Sequence, residues 1–401
     1  MPSAQVPPVR VRFSHWRGLA LASFAFLFAS FPSFASGTSC VDRFAGLYQE
    51  PSALVSSRLP QQISGLKRLD SEREWGPQVR LSLGLEADAR RATELKRLVV
   101  GQYNLLNLVA STEAVAEGQI ARPLAELRDL GATIMRAQPD LMVVEEVGSL
   151  EILETFSEKF LSGRYQAALI EGNDSRIHVG FLFKKDLPFD VEIQSFRNVS
   201  EATENHAVFS RDLPVAVFRE RGGEARGPPN FILAGTHYKS QRQDGVLVDT
   251  TEIRRNQAEA TAAILGFYRA QYGERVPLIL AGDFNEDVRV AEAFTSLGQK
   301  TKLQCSFDLA PASQSVPFAD RITQTFHPRD APSKGAQLDA ILISGITPEE
   351  GVVLESQVVP YLDSAGKVKP VPRTYAERRE NPSDHFMIRT VLDYEKLRTR
   401  R

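Results

Sequence analysis

Six apolar runs in this 401-residue chain end in, or begin just after, residues able to do chemistry. "LILAGDFNEDV", residues 278–288, reads as a buried strand that breaks into Asp283 and Asn285. "LVVGQYN" stops at Asn104, "LMVVEE" at Glu145 and Glu146, and "FILAGTH" at His237. Asp339 opens "AILIS", and Asp384 and His385 stand just before "FMI". Each has an ordinary reading alone: a carboxylate capping a turn, an amide satisfying a loop, a hydrogen-bonded interior histidine. Left unpaired at the ends of core strands, such groups would be costly. Brought to one cleft, they form a set for metal-assisted attack on a phosphate. Carboxylate and amide oxygens suit Mg²⁺ or Mn²⁺, and aspartate beside histidine supplies an oriented imidazole for proton transfer. Asp283 and Asn285, two apart on a turn, can position water and hold a phosphoryl oxygen.

Strands and helices must carry these residues to one place. From Lys96 onward apolar runs alternate with helical periods. "RPLAELRDLGATIMRAQ" has Leu124, Leu127, Leu130 and Ile134 at helical spacing and is stopped by Pro139. "SLEILETFSEKFL" predicts a helix with Ser149 as its N-cap, and "EIRRNQAEATAAILGFYRAQY" a long amphipathic one. Strands are expected at "YQAALIE", "HVGFLFK", "FDVEIQSF", "LPVAVFR", "RITQTF", "GVVLESQVV" and "HFMIRTVLD". Many strands with few helices imply an α/β (α+β) fold, two sheets packed as a sandwich with helices outside. "GGEARGPP" and "PRDAPSKGA" read as surface loops.

Composition bounds the rest. Apolar residues make up 42% and charged ones 24%, as in ordinary globular proteins. Near the start, Arg10, Arg12 and Arg17 precede "GLALASFAFLFASF" and "PSFAS": a basic region, an apolar core and a small-residue cleavage site. The apolar core is shorter than the roughly 20 residues of a bilayer span. A signal peptide over residues 1–35, cut after Ala35, is therefore expected, placing the mature chain in the periplasm or outside the cell. Residues 36–95 read as an N-terminal extension without chemistry, and 96–396 as the domain. The net charge is −2, and removing three arginines with no acids makes it −5. That excludes a bulk nucleic-acid coat, though not an enzyme that grips phosphates locally. Cys40 and Cys305 allow one disulfide at most.

"YN" at 103–104, "PDLMVVEEV", "GTHYKSQ", "AGDFNE", "QLDAILIS" and "NPSDHFMI" together resemble the ordered motifs of the endonuclease/exonuclease/phosphatase superfamily, the DNase I-like fold. The match spans residues 96–393, and secreted bacterial nuclease-like members look most similar. The resemblance implies Glu146 as metal ligand, with Asn104 and Asp384 beside it. It implies Asp283 and Asn285 as water- and phosphate-orienting groups, Asp339 as the partner of His385, and His385 as base or phosphate-polarising group. His237 would be a general acid. Glu145, Lys239 and Arg176 would contact substrate phosphate, and Mg²⁺ would serve, or Mn²⁺ or Ca²⁺. Two departures stand out: Leu106 replaces an aspartate of repair-type members, and His178 an aspartate of the secreted nucleases.

The function these residues suggest is a metal-dependent phosphodiesterase acting on nucleic acid, DNA first. The alternatives are a hydrolase of lipid or inositol phosphoesters, such as a sphingomyelinase-like enzyme, and an inactive binding module. His206 and His327 read as incidental, Arg254 and Arg255 as solvent-facing, and Asn198-Val199-Ser200 as a glycosylation sequon by pattern.

Overall fold

A computed structural model describes residues 63–85, 94–110, 120–221, 228–243, 246–327 and 334–400. All lie in the unit Phe44–Arg401; the expected signal peptide, Cys40 and the rest of the chain fall outside them. The first strands are β1 (Leu66–Arg68), β2 (Gln78–Ser82), β3 (Arg97–Leu108), β4 (Leu141–Val147), β5 (Tyr165–Leu169), β6 (His178–Lys184) and β7 (Phe189–Gln194). Then come β8 (Val199–Glu201), β9 (Val215–Glu220), β10 (Phe231–His237), β11 (Arg242–Gln243), β12 (Val246–Leu247) and β13 (Leu278–Asp283). The last are β14 (Gln304–Cys305), β15 (Gln324–Phe326), β16 (Lys334–Ala336), β17 (Asp339–Ser344), β18 (Val353–Val358) and β19 (Ile388–Asp393).

Two large sheets form the α/β sandwich. One orders its seven strands β14-β17-β13-β10-β9-β7-β2, the other its six as β18-β19-β3-β4-β6-β5. Between them lies a core including Val100, Val143, Phe181, Phe218, Phe231, Leu233, Ile279 and Ile341. Its aromatics meet edge-on, Phe183 against Phe218 at 5.4 Å and Phe189 against Phe231 at 5.5 Å.

The helices cover the outer faces. α1 (Leu124–Ala137) buries Leu127, Leu130 and Ile134 but leaves Leu124 exposed. It ends at Gln138, which turns left-handed at φ 50° just before Pro139. α2 (Leu150–Phe160) starts as expected at Ser149, whose hydroxyl accepts from the Ile152 N–H at 3.3 Å. Together α1 and α2 close a second core on the six-stranded sheet. α3 (Thr251–Tyr272) packs Ile264, Leu265 and Tyr268 on the seven-stranded one. Among the described residues no helix is long and apolar enough to cross a membrane.

The segment read as an extension contributes to the domain. β2 pairs with β7 as the edge of the seven-stranded sheet, and β1 pairs with β8. "QVRLS" alternates between faces as a strand does, but five residues are too short a run to separate from loop by pattern.

Register explains why chemistry gathers at one end. β10 lies parallel to β13 with His237 opposite Asp283, and β17 lies antiparallel with Asp339 opposite Asp283. Three adjacent strand ends therefore carry His237, Asp283 and Asp339 in a row. On the facing sheet β3 and β4 run parallel with Asn104 opposite Glu145, and β19 begins three residues after His385. Gly282 makes the β10–β13 contact possible: φ is +156°, and a Cβ there would overlap the Thr236 carbonyl. Gly282→Ala should thus destabilise the fold by about 3 kcal/mol or more in urea unfolding; a midpoint equal to wild type would contradict this close approach.

Candidate active site

Glu145 and Glu146 follow one another, yet a break in register separates them. The β4 ladder shifts between Val144 and Val147 against β6, and the β3–β4 pairing shifts nearby. Glu146 sits at φ 60°, a left-handed conformation that costs a non-glycine residue about 1 kcal/mol or more. The bulge sends Glu145 into the interior, where it is fully buried, and Glu146 into the cleft. Leu106, Asn107 and Asn285 are left-handed too, so strained backbone rings the site. The Asn107 N–H donates to Glu146 Oε2 at 2.9 Å, the bond that the unusual turn makes available.

The cleft has a volume of about 1040 Å³. Its floor is Asp283. Asn104 Nδ2 donates to Asp283 Oδ2 at 3.1 Å, and the Asn285 N–H donates to Oδ1 at 2.8 Å. His237 Nε2 stands 3.5 Å and His385 Nε2 3.8 Å from the same Oδ2. Behind His385, Nδ1 lies 2.8 Å from Asp339 Oδ2. Gln102 Nε2 donates to Asp339 Oδ1 at 2.8 Å and to Glu145 Oε2 at 3.0 Å. The chain Glu145–Gln102–Asp339–His385 thus runs from between the sheets to the cleft.

Charge follows from this burial. Loss of water raises the Asp283 carboxyl to about 7; the charge of Asp339 adds to that, while His385 pulls the other way. Burial disfavours the His385 cation, but Asp339 and Asp283 outweigh it and raise the imidazole well above its ordinary value. His237 moves far down, through burial first and then the positive charges of Arg211 and His385, so it is neutral near pH 7. Glu145 is raised strongly by burial and by Asp339 and Asp283. Glu146 is raised by burial and by the neighbouring Asp384. Burial also works to raise Asp384, but the charges of His385 and Arg378 leave it below the usual carboxylate range.

Asp283, Asp339 and His385 offer ligand atoms close enough for a cation. We read them otherwise, because both Asp339 oxygens are already taken, by Gln102 and His385. The carboxylates of Glu146 and Asp384, which face the cleft and repel one another, suit a cation better.

The structure places the expected residues as follows. Glu146, His237, Asp283, Asn285, Asp384, His385 and Arg176 line the cleft. Asn104 and Asp339 stand behind the wall, bonded to Asp283 and His385, and Glu145 lies deeper, bonded to Gln102. Lys239 does not line the cleft: its N–H donates to Gln257 at 2.9 Å and its carbonyl accepts from Arg254. One reading needs correction. Arg254 does not face solvent; it is buried, bonds Glu286 at 2.7 Å and braces the turn after β13. His327, read as incidental, stands in the lining of the cleft. By contrast His206 is exposed, and Arg255 bonds Glu252 at the surface. His178 is buried and accepts the Gly172 N–H at 3.0 Å, a structural task. Asn198 is packed away as well, its amide donating to Glu72 and to the Glu74 carbonyl.

Arg211, Arg242, Lys334, Arg378, Phe326 and Tyr375 also line the cleft, and sequence reasoning missed all of them. Their only signal was charge or aromaticity, in a loop or in elements of two to five residues. Gln102 was legible in principle, as a polar residue facing inward on an apolar strand.

No family profile and no curated protein sequence matches the chain. Similarity is found among solved structures. An endonuclease/exonuclease/phosphatase family protein from Bacteroides thetaiotaomicron is 17% identical, covering 74% of this chain and 97% of its own, with a TM-score of 0.49. Truncated TDP2 of Caenorhabditis elegans is 15% identical over 74% and 98%, at 0.48. The human Nocturnin catalytic domain with bound sulfate is 18% identical over 78% and 96%, at 0.48.

The wall carrying Arg211 depends on its neighbour. Asp212 is left-handed at φ 71°, and its Oδ1 accepts from the N–H groups of Phe196 at 2.8 Å and Leu213 at 2.7 Å. Burial raises its carboxyl to about 6, above an unfolded value near 3.9. The native state therefore holds the proton more tightly, and this stabilisation is complete below about pH 4 and lost as pH rises to about 6. Across that window wild type should lose about 3 kcal/mol relative to Asp212→Asn, as read by urea unfolding. A difference that stays constant with pH would refute the raised carboxyl.

Proposed function

We propose that the chain is a divalent-cation-dependent phosphodiesterase acting on nucleic acid, DNA first. The observation that carries this reading is the Asp283 carboxylate set between neutral His237 and the Asp339-held His385, in one cleft with Glu146. The donor set fits a hard cation: Glu146 and Asp384 offer carboxylate oxygens in one cleft, where the charge of Asp384 raises the Glu146 carboxyl. When bound, such an ion would offset charge on the scissile phosphate and leaving oxygen.

The chain's own groups divide the remaining work. Asp339 holds His385 Nδ1 and keeps the imidazole charged, so Nε2 faces the phosphate as a cationic donor. Asp283, with its carboxyl near 7, takes the proton of the attacking water. His237 is neutral and donates a hydrogen bond to a phosphoryl oxygen or to the leaving group. Glu145 keeps Gln102, and through it Asp339, in place, which differs from the phosphate contact the resemblance implied.

Substrate class follows from the lining. Arg176, Arg211, Arg242, Lys334 and Arg378 surround the cleft, so a chain acidic overall is locally basic where a polyanion would lie. A second reading, hydrolysis of phospholipid, draws on exposed Val368, Val371 and Tyr375, the last at the cleft's edge. Export through a leader over residues 1–35 belongs to the proposal, and N-terminal sequencing of the exported protein should begin at Ser36.

Purified mature protein should be offered plasmid DNA, RNA, sphingomyelin and inositol phosphates with Mg²⁺, Mn²⁺ or Ca²⁺. His385→Ala and Asp283→Asn should each lower turnover of the best substrate at least 100-fold, within the usual span for such groups. Full activity in either variant would remove the assignment. EDTA should abolish turnover and Mg²⁺ or Mn²⁺ restore it; activity that survives exhaustive chelation would reject the cation's role.

A further inference from the structure

A second cavity, of about 400 Å³, opens at the other end of β3 from the cleft. Arg97 on its rim precedes Asn104 by seven residues, about 23 Å along an extended strand. Arg97, Arg136, Lys184 and Arg389 line it, with Asp140 as its carboxylate. Two of the cations have structural tasks. Lys184 bonds Asp140 at 3.0 Å and the Gln138 carbonyl at 3.2 Å. Arg389 bonds Glu355 at 2.5 Å and the Ala137 carbonyl at 3.0 Å, so both also cap the end of α1.

Arg97 and Arg136 remain. Arg136 donates to the Pro360 carbonyl, and among the described residues no carboxylate pairs with either guanidinium. Arg136 stands exposed at the cavity, and the partial burial of its side chain lowers its pKa. Four cations against Asp140 and Glu355 leave two positive charges uncompensated. Val99, Val358, Val359 and Pro360 supply apolar wall between them.

We propose that this cavity binds a phosphate dianion carried on a small organic body. Two surplus charges match a phosphomonoester, and guanidinium forks match its oxygens. The volume admits one such group. A free phosphomonoester and a lipid headgroup share this chemistry, and the experiment separates them.

The full chain, freed of divalent ions and carrying His237→Ala and His385→Ala to weaken phosphate contacts in the cleft, is titrated calorimetrically with inorganic phosphate. The same protein is floated with phosphatidylcholine vesicles with and without phosphatidate. One phosphate should bind, and Arg97→Ala, an exposed change that breaks no ion pair among the described residues, should weaken it about 10-fold; Arg136→Gln should do the same. Binding seen only on phosphatidate vesicles, and lost with Arg97→Ala, would assign the site to a headgroup. Neither probe binding, or binding unchanged by both substitutions, would overturn the proposal. Because the readout is binding, the outcome does not depend on the hydrolytic reading.

Discussion

The burial of Asp283 governs the whole site. A carboxylate removed from water at the junction of two sheets demands hydrogen bonds and opposite charge, and the fold supplies both from four separate segments. Asn104 comes from β3, the Asn285 N–H from the turn after β13, His237 from β10 and His385 from the residues before β19. Each donor is useful because the others limit where Asp283 can point. The carboxyl consequently titrates near neutrality, where it can exchange a proton.

Cost and use are joined in the same contacts. Gln102 has a single amino group and shares it between Glu145 and Asp339, so two buried acids are tied to one amide. Asp339 in turn fixes the His385 ring. Left-handed residues at Glu146, Asn107 and Asn285 add strain that a purely structural sheet end would have no reason to keep. Locally, propensity is overridden wherever a side chain has to be aimed.

Much of this was legible in the sequence. Alternation of apolar runs and helical periods gives the two-sheet α/β sandwich, and Ser149, Pro139 and the 3.6-residue spacing give α1 and α2 nearly to the residue. Polar residues at strand ends or just before strand starts give His237, Asp283, Asp339 and His385, because there a core meets solvent. Less could be read where aim depends on backbone detail. The bulge that parts Glu145 from Glu146 leaves no mark in composition, so their separate destinations were hidden. Arg211 and His327 sit in loops, whose path no period predicts, and Arg378 in a five-residue helix too short to show one. Arg254 looked like surface because its partner Glu286 lies 32 positions away.

The order of strands also bears on when the molecule becomes chemically competent. β19 follows every other described strand in sequence, yet it lies inside the six-stranded sheet between β18 and β3, and His385 precedes it by only a few residues. A ribosome must therefore release every segment up to and beyond His385 before the imidazole can meet Asp339. Truncated products and half-assembled intermediates hold only scattered pieces of the reactive centre. Such a layout withholds the complete constellation until synthesis has passed His385.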